Sequence, residues 1–177
     1  MTNSSAPQAT LHGFAFVALG ANLPFGAGDP AATLQAVLPE LQRLSLQPLL
    51  VSSLYESDPK DCPPGSPQYL NGVVGLVPLT GETPESLLLK LQALEQRFGR
   101  LRSGVVNEAR TLDLDLLAFG NETRNTSLLT LPHPRAHERR FVLEPWIAIA
   151  GADWMLNGRT LGEWSHICTD PALRQRG

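Results

Sequence analysis

Short apolar runs alternate along the chain with longer segments in which leucines recur every three or four positions. The first pattern is that of strands and the second that of amphipathic helices. Phe14 to Leu19, closed by Gly20, predicts a buried strand, followed by a turn at Gly20-Ala21-Asn22-Leu23-Pro24. Asp29 then offers an N-cap with Pro30 at the first helical position, ahead of Leu34, Val37, Leu38, Leu41 and Leu44. Pro39 falls inside that helical pattern and is expected to kink or break it. Leu49 to Tyr55 and Tyr69 to Leu79 predict two strands of a hairpin, separated by a loop from Ser57 to Pro67 rich in turn formers. Thr83-Pro84-Glu85 starts a second helix with a stripe of Leu87, Leu91, Leu94 and Phe98, ended by Gly99. A second long loop, residues 100–109, leads into the heptad Arg110-Thr111-Leu112-Asp113-Leu114-Asp115-Leu116, a strand ending near Gly120.

The order β-α-β-β-α-β is that of a ferredoxin-like α+β core: a four-stranded antiparallel sheet with its helices on one face. A polar loop and helix over Leu131 to Ala150, then a turn at Asn157-Gly158 and a short helix, form a C-terminal helical extension. Residues 1–12, polar and without the apolar run of a signal peptide, are expected to be a disordered tail, and residues 13–177 a single domain.

In the heptad, alternation puts Thr111, Asp113 and Asp115 on one face and Leu112, Leu114 and Leu116 on the other. The two carboxylates then stand roughly 7 Å apart at the backbone. Like charges that close call for a cation between them, and Mg²⁺ held by carboxylates together with substrate phosphates would serve. An edge strand with a solvated acidic face would show the same alternation, so both readings stand at this point.

Charge sharpens the picture. The whole chain is −3, which argues against a general nucleic-acid binder. Yet residues 97–140 carry eight arginines against five acids, so positive charge surrounds the acidic heptad. Only Lys60 and Lys90 are lysines, and arginine is the better bidentate phosphate ligand, although a compositional bias of the genome would also favour it. No G-x-x-x-x-G-K-[ST] and no G-x-G-x-x-G occurs, so bound phosphates would have to be held by side chains. His133 and His137 make a poor zinc pair, with Pro134 between them and no H-E-x-x-H; a structural role for His137 is at least as good a reading. Cys62 and Cys168 form no ligand pattern and no disulfide framework, which fits a reducing cytoplasm. No run of about 18 apolar residues is present to span a membrane. A non-catalytic sensor or RNA-binding module of the same fold is the competing class; for RNA, Phe14 and Phe16 are the only aromatics on a predicted central strand.

The heptad with Leu117 and Phe119-Gly120, joined to Leu131-Pro132-His133-Pro134-Arg135-Ala136-His137-Glu138-Arg139-Arg140-Phe141-Val142-Leu143, resembles the 6-hydroxymethyl-7,8-dihydropterin pyrophosphokinases of folate biosynthesis. Ala18-Leu19-Gly20-Ala21-Asn22-Leu23, Ser52 to Ser57 and Tyr69-Leu70-Asn71 extend the resemblance over residues 14–165. It implies transfer of pyrophosphate from ATP to the pterin hydroxymethyl oxygen, with AMP leaving. It also implies that Asp113 and Asp115 hold two Mg²⁺ ions in a two-metal clamp, with Asp115 a weaker candidate for accepting the hydroxyl proton. Arg100 and Arg110 match arginines that neutralise the transferring phosphates. Gln92, Glu95, Arg102, Leu116, Thr130, His133 and Arg139 match ATP-site positions. Tyr69 and Phe141 match the rings that sandwich the pterin, Asn71 the amide that reads its edge, and Ser57, with the loop after it, a pterin-side contact. The partners implied are these two small molecules, with no nucleic acid or membrane, and a monomer is expected. Asn107-Glu108-Ala109 stands where many members carry Trp-Gly-Pro, which leaves an aromatic lid in doubt and predicts slower closure or a weaker closed state. The proline-heavy loop from Asp58 to Gln68 is expected to be more pre-shaped than in relatives.

Overall fold

A computed structural model describes residues 11–101, 104–105 and 108–176. Its centre is strand β1 (Ala15–Ala21), paired antiparallel on one side with β4 (Tyr69–Leu76) and on the other with β5 (Asp113–Phe119). Beyond β4 lie β2 (Leu50–Val51) and β3 (Tyr55–Ser57), both antiparallel to it. The core order is therefore hairpin partner, β4, β1, β5, the ferredoxin-like arrangement.

Helices α1 (Pro30–Gln42) and α2 (Pro84–Arg97) cover one face. Asp29 caps α1 through the amide of Ala32, and Thr83 with Ser86 forms a capping box on α2. Their stripes, Leu34, Val37 and Leu41 with Leu87, Leu91 and Leu94, bury Val17, Leu19, Leu112, Leu114 and Leu116. Pro39 does not break α1, which runs on to Gln42. The proline sits in the last turns, and buried Val37 and Leu41 on either side of it hold the helix to the sheet.

The opposite face is covered as well. After a single 3₁₀ turn (Ala136–Glu138), α3 (Arg140–Ala150) lays Val142, Leu143 and Trp146 over Phe14, Phe16, Val73 and Leu117. Phe16, Trp146 and Trp154 form one aromatic cluster with centroids 4.8–5.5 Å apart. Phe14 and Phe16 are thereby buried and unavailable to stack on RNA bases. Short pairs β6 (Arg124–Asn125) with β7 (Thr130–Leu131) and β8 (Met155–Leu156) with β9 (Arg159–Thr160) follow, the latter turning at Asn157-Gly158 with φ of 50° and 80°. The chain closes with α4 (Leu161–Ile167) and β10 (Arg174–Gln175), which adds to the sheet beside β3.

Three expectations change in detail. The second strand is divided between β2 and β3 because the Ser52 hydroxyl accepts from the Val73 amide at 2.9 Å, where a main-chain carbonyl would continue the ladder. The third strand stops at Leu76 rather than Leu79. The heptad is strand only from Asp113, because β1 ends at Ala21; the carbonyl of Arg110 accepts instead from the amides of Asn22 and Leu23. Residues 1–10 of the expected tail lie outside the described residues. Of its last two, Leu11 is buried in the α3-side core and His12 bonds Asn121. No helix among the described residues is long and apolar enough to cross a membrane.

Candidate active site

Along β1 the face toward α3 reads Phe14, Phe16, Ala18, Gly20, a taper from large to none. The wide end fills the core, and the narrow end leaves the floor of a cavity of about 410 Å³. Register places Ala18 beside Asp115, and Gly20 between Asn71 of β4 and Asp113 of β5. Asp113, Asp115 and buried Leu117 share that face of β5, while Leu112, Leu114 and Leu116 enter the helix-side core. The alternation read from the heptad is therefore the observed one.

Around this floor stand Ser57, Tyr69, Asn71, Arg110, Asp113, Asp115, His133, Arg139 and Phe141, all lining the one cavity. The other assigned residues lie elsewhere. Gln92 and Glu95 line a separate hollow of about 290 Å³ with Arg100. Leu116 is buried under the helices and Thr130 lies on β7. Arg102 lies outside the described residues, as does Asn107 of the altered loop. Arg100 links the two hollows: one guanidinium nitrogen is paired with Glu95 and lies 2.7 Å from Asp113 Oδ1. Arg110 reaches that same oxygen at 3.0 Å. Glu95 also accepts from the Leu114 amide at 2.7 Å, so α2 is pinned to β5 beside the carboxylates.

Electrostatics divides these groups. Burial, aided by the charge of Asp113, pushes the Asp115 carboxyl up to about 7, against the pull of Arg139. Burial, with Arg139 nearby, takes His133 down to about 4, so its ring is neutral near pH 7. His133 Nδ1 accepts from the Arg135 amide at 3.2 Å, which puts the neutral ring's proton on Nε2 as a donor. Burial depresses Arg110, but Asp113 more than offsets it, and the net shift is upward. His137 is not beside His133 in function: its ring packs on Trp164 at 4.6 Å. Among the described residues no three His, Cys, Asp or Glu side chains converge to cage an ion. Two carboxylates, one of them held above its ordinary range by burial and by its neighbour's charge, fit a hard cation that completes its shell with phosphate oxygens.

Sequence reading missed several participants. Asn22 is buried, accepts from the Arg110 amide at 2.8 Å and donates to the Pro67 carbonyl at 3.2 Å, so it ties together the loops on both sides of the cavity. Its signal was the polar residue directly after an apolar strand. Lys60, Asp61 and Cys62 also line the wall; they belong to the loop after Ser57 that the resemblance puts on the pterin side, but no one of them was singled out. In the altered loop, the Glu108 carbonyl accepts from Tyr69 Oη at 3.3 Å and Arg110 Nε at 3.1 Å.

A family model described as 7,8-dihydro-6-hydroxymethylpterin-pyrophosphokinase matches residues 16–151. Two relatives described as 2-amino-4-hydroxy-6-hydroxymethyldihydropteridine pyrophosphokinase are similar over most of their length. That of Haemophilus influenzae is 38% identical over 84% of this chain and 89% of its own. That of Pseudomonas aeruginosa is 39% identical over 86% and 90%. The folic acid synthesis protein fol1 of Schizosaccharomyces pombe is 32% identical over 81% of this chain and 19% of its own. Among solved structures, the HPPK-DHPS chain of Plasmodium falciparum crystallised with pteroate superposes with a TM-score of 0.64 at 12% identity. That match covers 86% of this chain and 44% of that one, and it speaks to the fold alone.

Proposed function

The chain belongs to the 7,8-dihydro-6-hydroxymethylpterin-pyrophosphokinase family, and on that premise we propose how its side chains divide the work. It is a diphosphotransferase of folate synthesis: the pterin hydroxymethyl oxygen attacks the β-phosphorus of ATP, the α,β-bridging bond breaks, and AMP leaves with that bridging oxygen. The observation that carries the division of labour is the placing of Asp113 and Asp115 on one face of β5 with Arg100 and Arg110 meeting at Asp113.

Asp113 and Asp115 hold Mg²⁺, two ions in this reading. Bound there with ATP, Mg²⁺ neutralises phosphate charge and lowers the pKa of the oxygens it touches. Without ligand, Asp113 is neutralised by the two arginines instead. Phosphates compete for those guanidiniums, which draws them from Asp113 onto the transferring group and frees the carboxylate. Neutral His133 donates through Nε2 and Arg139 adds positive charge, both from the α3 side of the cavity. Gln92 and Glu95 serve the ATP side through the smaller hollow beside Arg100. Leu116, with its side chain in the core, and Thr130 have only their main chain or a rim position to offer.

The pterin occupies the larger cavity, with Tyr69 and Phe141 as its aromatic walls. The Asn71 amide donates to Ser57 Oγ at 2.8 Å, which orients both groups toward the flat edge of a heterocycle. Free thiols at Cys62 and Cys168 support a reducing cytoplasm, and the net charge of −3 supports small-molecule rather than nucleic-acid partners.

The test is product analysis. ATP, Mg²⁺ and hydroxymethyl-dihydropterin should yield AMP and the pterin diphosphate, and EDTA should stop the reaction. Release of ADP, or turnover indifferent to the pterin, would refute this reading.

A further inference from the structure

Helix α3 carries Phe141 and Val142 into the cavity, yet its N-cap residue, Arg139, makes no capping bond. The cap comes from the far end of the chain. Asp170 Oδ2 accepts from the Arg140 amide at 3.2 Å, the first free donor of the helix. The other carboxylate oxygen pairs with Lys60, in the loop that forms the opposite wall. The Asp170 side chain is only 10% exposed while Lys60 is 44% exposed, so the ion pair has its acidic end sheltered and its basic end in solvent.

The segment around Asp170 is itself held in place. The Arg140 guanidinium donates to the carbonyls of Asp170 at 2.9 Å and Cys168 at 2.8 Å. Beyond it, β10 pairs with β3, and the Arg176 amide donates to the Leu54 carbonyl at 2.9 Å. Asp170, Cys168, β10 and Arg176 all lie past residue 151, where the family match ends.

We propose that Asp170 is a positioning residue of the pterin site. Through Arg140 and Lys60 it sets the first turn of α3 and the loop after β3 at a fixed separation, and so sets the width of the cavity between them. This rests on the reaction assigned above. Its effect falls first on the pterin, because Lys60 and Phe141 line the larger cavity and neither lines the hollow of Gln92 and Glu95, while Arg139 at the N-cap passes a smaller effect to the phosphates.

In the full-length protein, Asp170→Asn keeps the shape and removes the charge. It should raise KM for the pterin about tenfold while raising KM for ATP by a smaller factor, about threefold or less, because displacing a wall by a fraction of an ångström misaligns what it holds. Asp170→Glu should restore part of the loss. Lys60→Ala, at a half-exposed position, should shift KM in the same direction. Hydrogen exchange should quicken in residues 58–68 and 140–144 together in the Asp170→Asn protein. An unchanged pterin KM, an equal rise in both KM values, or faster exchange confined to residues 168–176 would overturn the proposal. If the unmodified protein shows no pterin-dependent AMP release, the assigned reaction falls. The exchange pattern still decides separately whether Asp170 holds the two walls.

Discussion

Arg100 donates to Asp113 Oδ1 at 2.7 Å while the same nitrogen is paired with Glu95, so one guanidinium joins the carboxylate face of β5 to helix α2. The contact spans the two hollows of the candidate site. Its consequence is that Asp113 is the more exchangeable of the two acids, held by arginines that phosphate can claim, whereas Asp115, half-buried in the cavity floor, is governed by desolvation.

Asp113→Asn should lower kcat roughly a thousandfold, the several kcal/mol expected of a lost metal ligand. Folding should suffer far less, by about 1–2 kcal/mol, since Arg100 keeps Glu95 as a partner. Steady-state kinetics beside thermal unfolding separates the two effects. A near-normal rate would remove Asp113 from the chemistry.

Stability without Mg²⁺ should carry two opposed pH dependences. Folded Asp115 keeps its proton to about 7 and releases it near 3.8 when unfolded, so its contribution to stability falls as pH climbs through that window. Folded His133 is deprotonated above about 4 but holds its proton to 6.5 when unfolded, so its contribution rises from pH 4 to 6.5. Each slope is at most about 1.4 kcal/mol per pH unit. Relative to the parent in EDTA, Asp115→Asn should therefore gain stability from pH 4 to 7 and level off above it. His133→Gln should gain on going down from pH 6.5 to 4. Denaturant unfolding at several pH values reads both differences.

Gly20→Val should block the pterin without harming the fold. A Cβ at Gly20 would meet Asn71 Oδ1 at 3.6 Å and Asp113 Cβ at 3.8 Å, ordinary contact distances, and the branches beyond it enter the cavity. Pterin binding should weaken more than tenfold, at about 1.4 kcal/mol per decade, with the unfolding temperature nearly unchanged. Fluorescence titration with pterin would check it.

Tyr69→Phe and Tyr69→Ala should part company. The phenylalanine keeps the ring and loses only the hydroxyl, with its bonds to the Glu108 carbonyl and to Cys62, so pterin KM should move by about threefold or less. The alanine removes a wall and should cost about tenfold or more. Equal effects would mean that the hydroxyl, and the loop it holds, matters more than the ring.

Much of this was legible in order along the chain. Period-two alternation in the heptad placed Asp113 and Asp115 on one face because the pleat of a strand leaves side chains no other choice. Helix caps at Asp29 and Thr83 were local chemistry and stood as read. The taper from Phe14 to Gly20 was also in plain view, but its meaning depends on what packs opposite each position. At Pro39 the helix is not broken, because a local rule gave way to a buried helix face.

By itself, then, the sequence determined what short-range geometry controls: the elements, their buried stripes, the face of the acids, and the motif that carries the family. Only the tertiary structure decided what long-range contact controls. Packing of α3 over Phe16 turned a sheet face into core at one end and cavity at the other. Asn22 reaching Arg110 and Pro67, and Asp170 reaching Lys60 and Arg140, join residues far apart in the chain. Such pairings leave no period or spacing to read, because they follow from where the folded backbone brings each side chain.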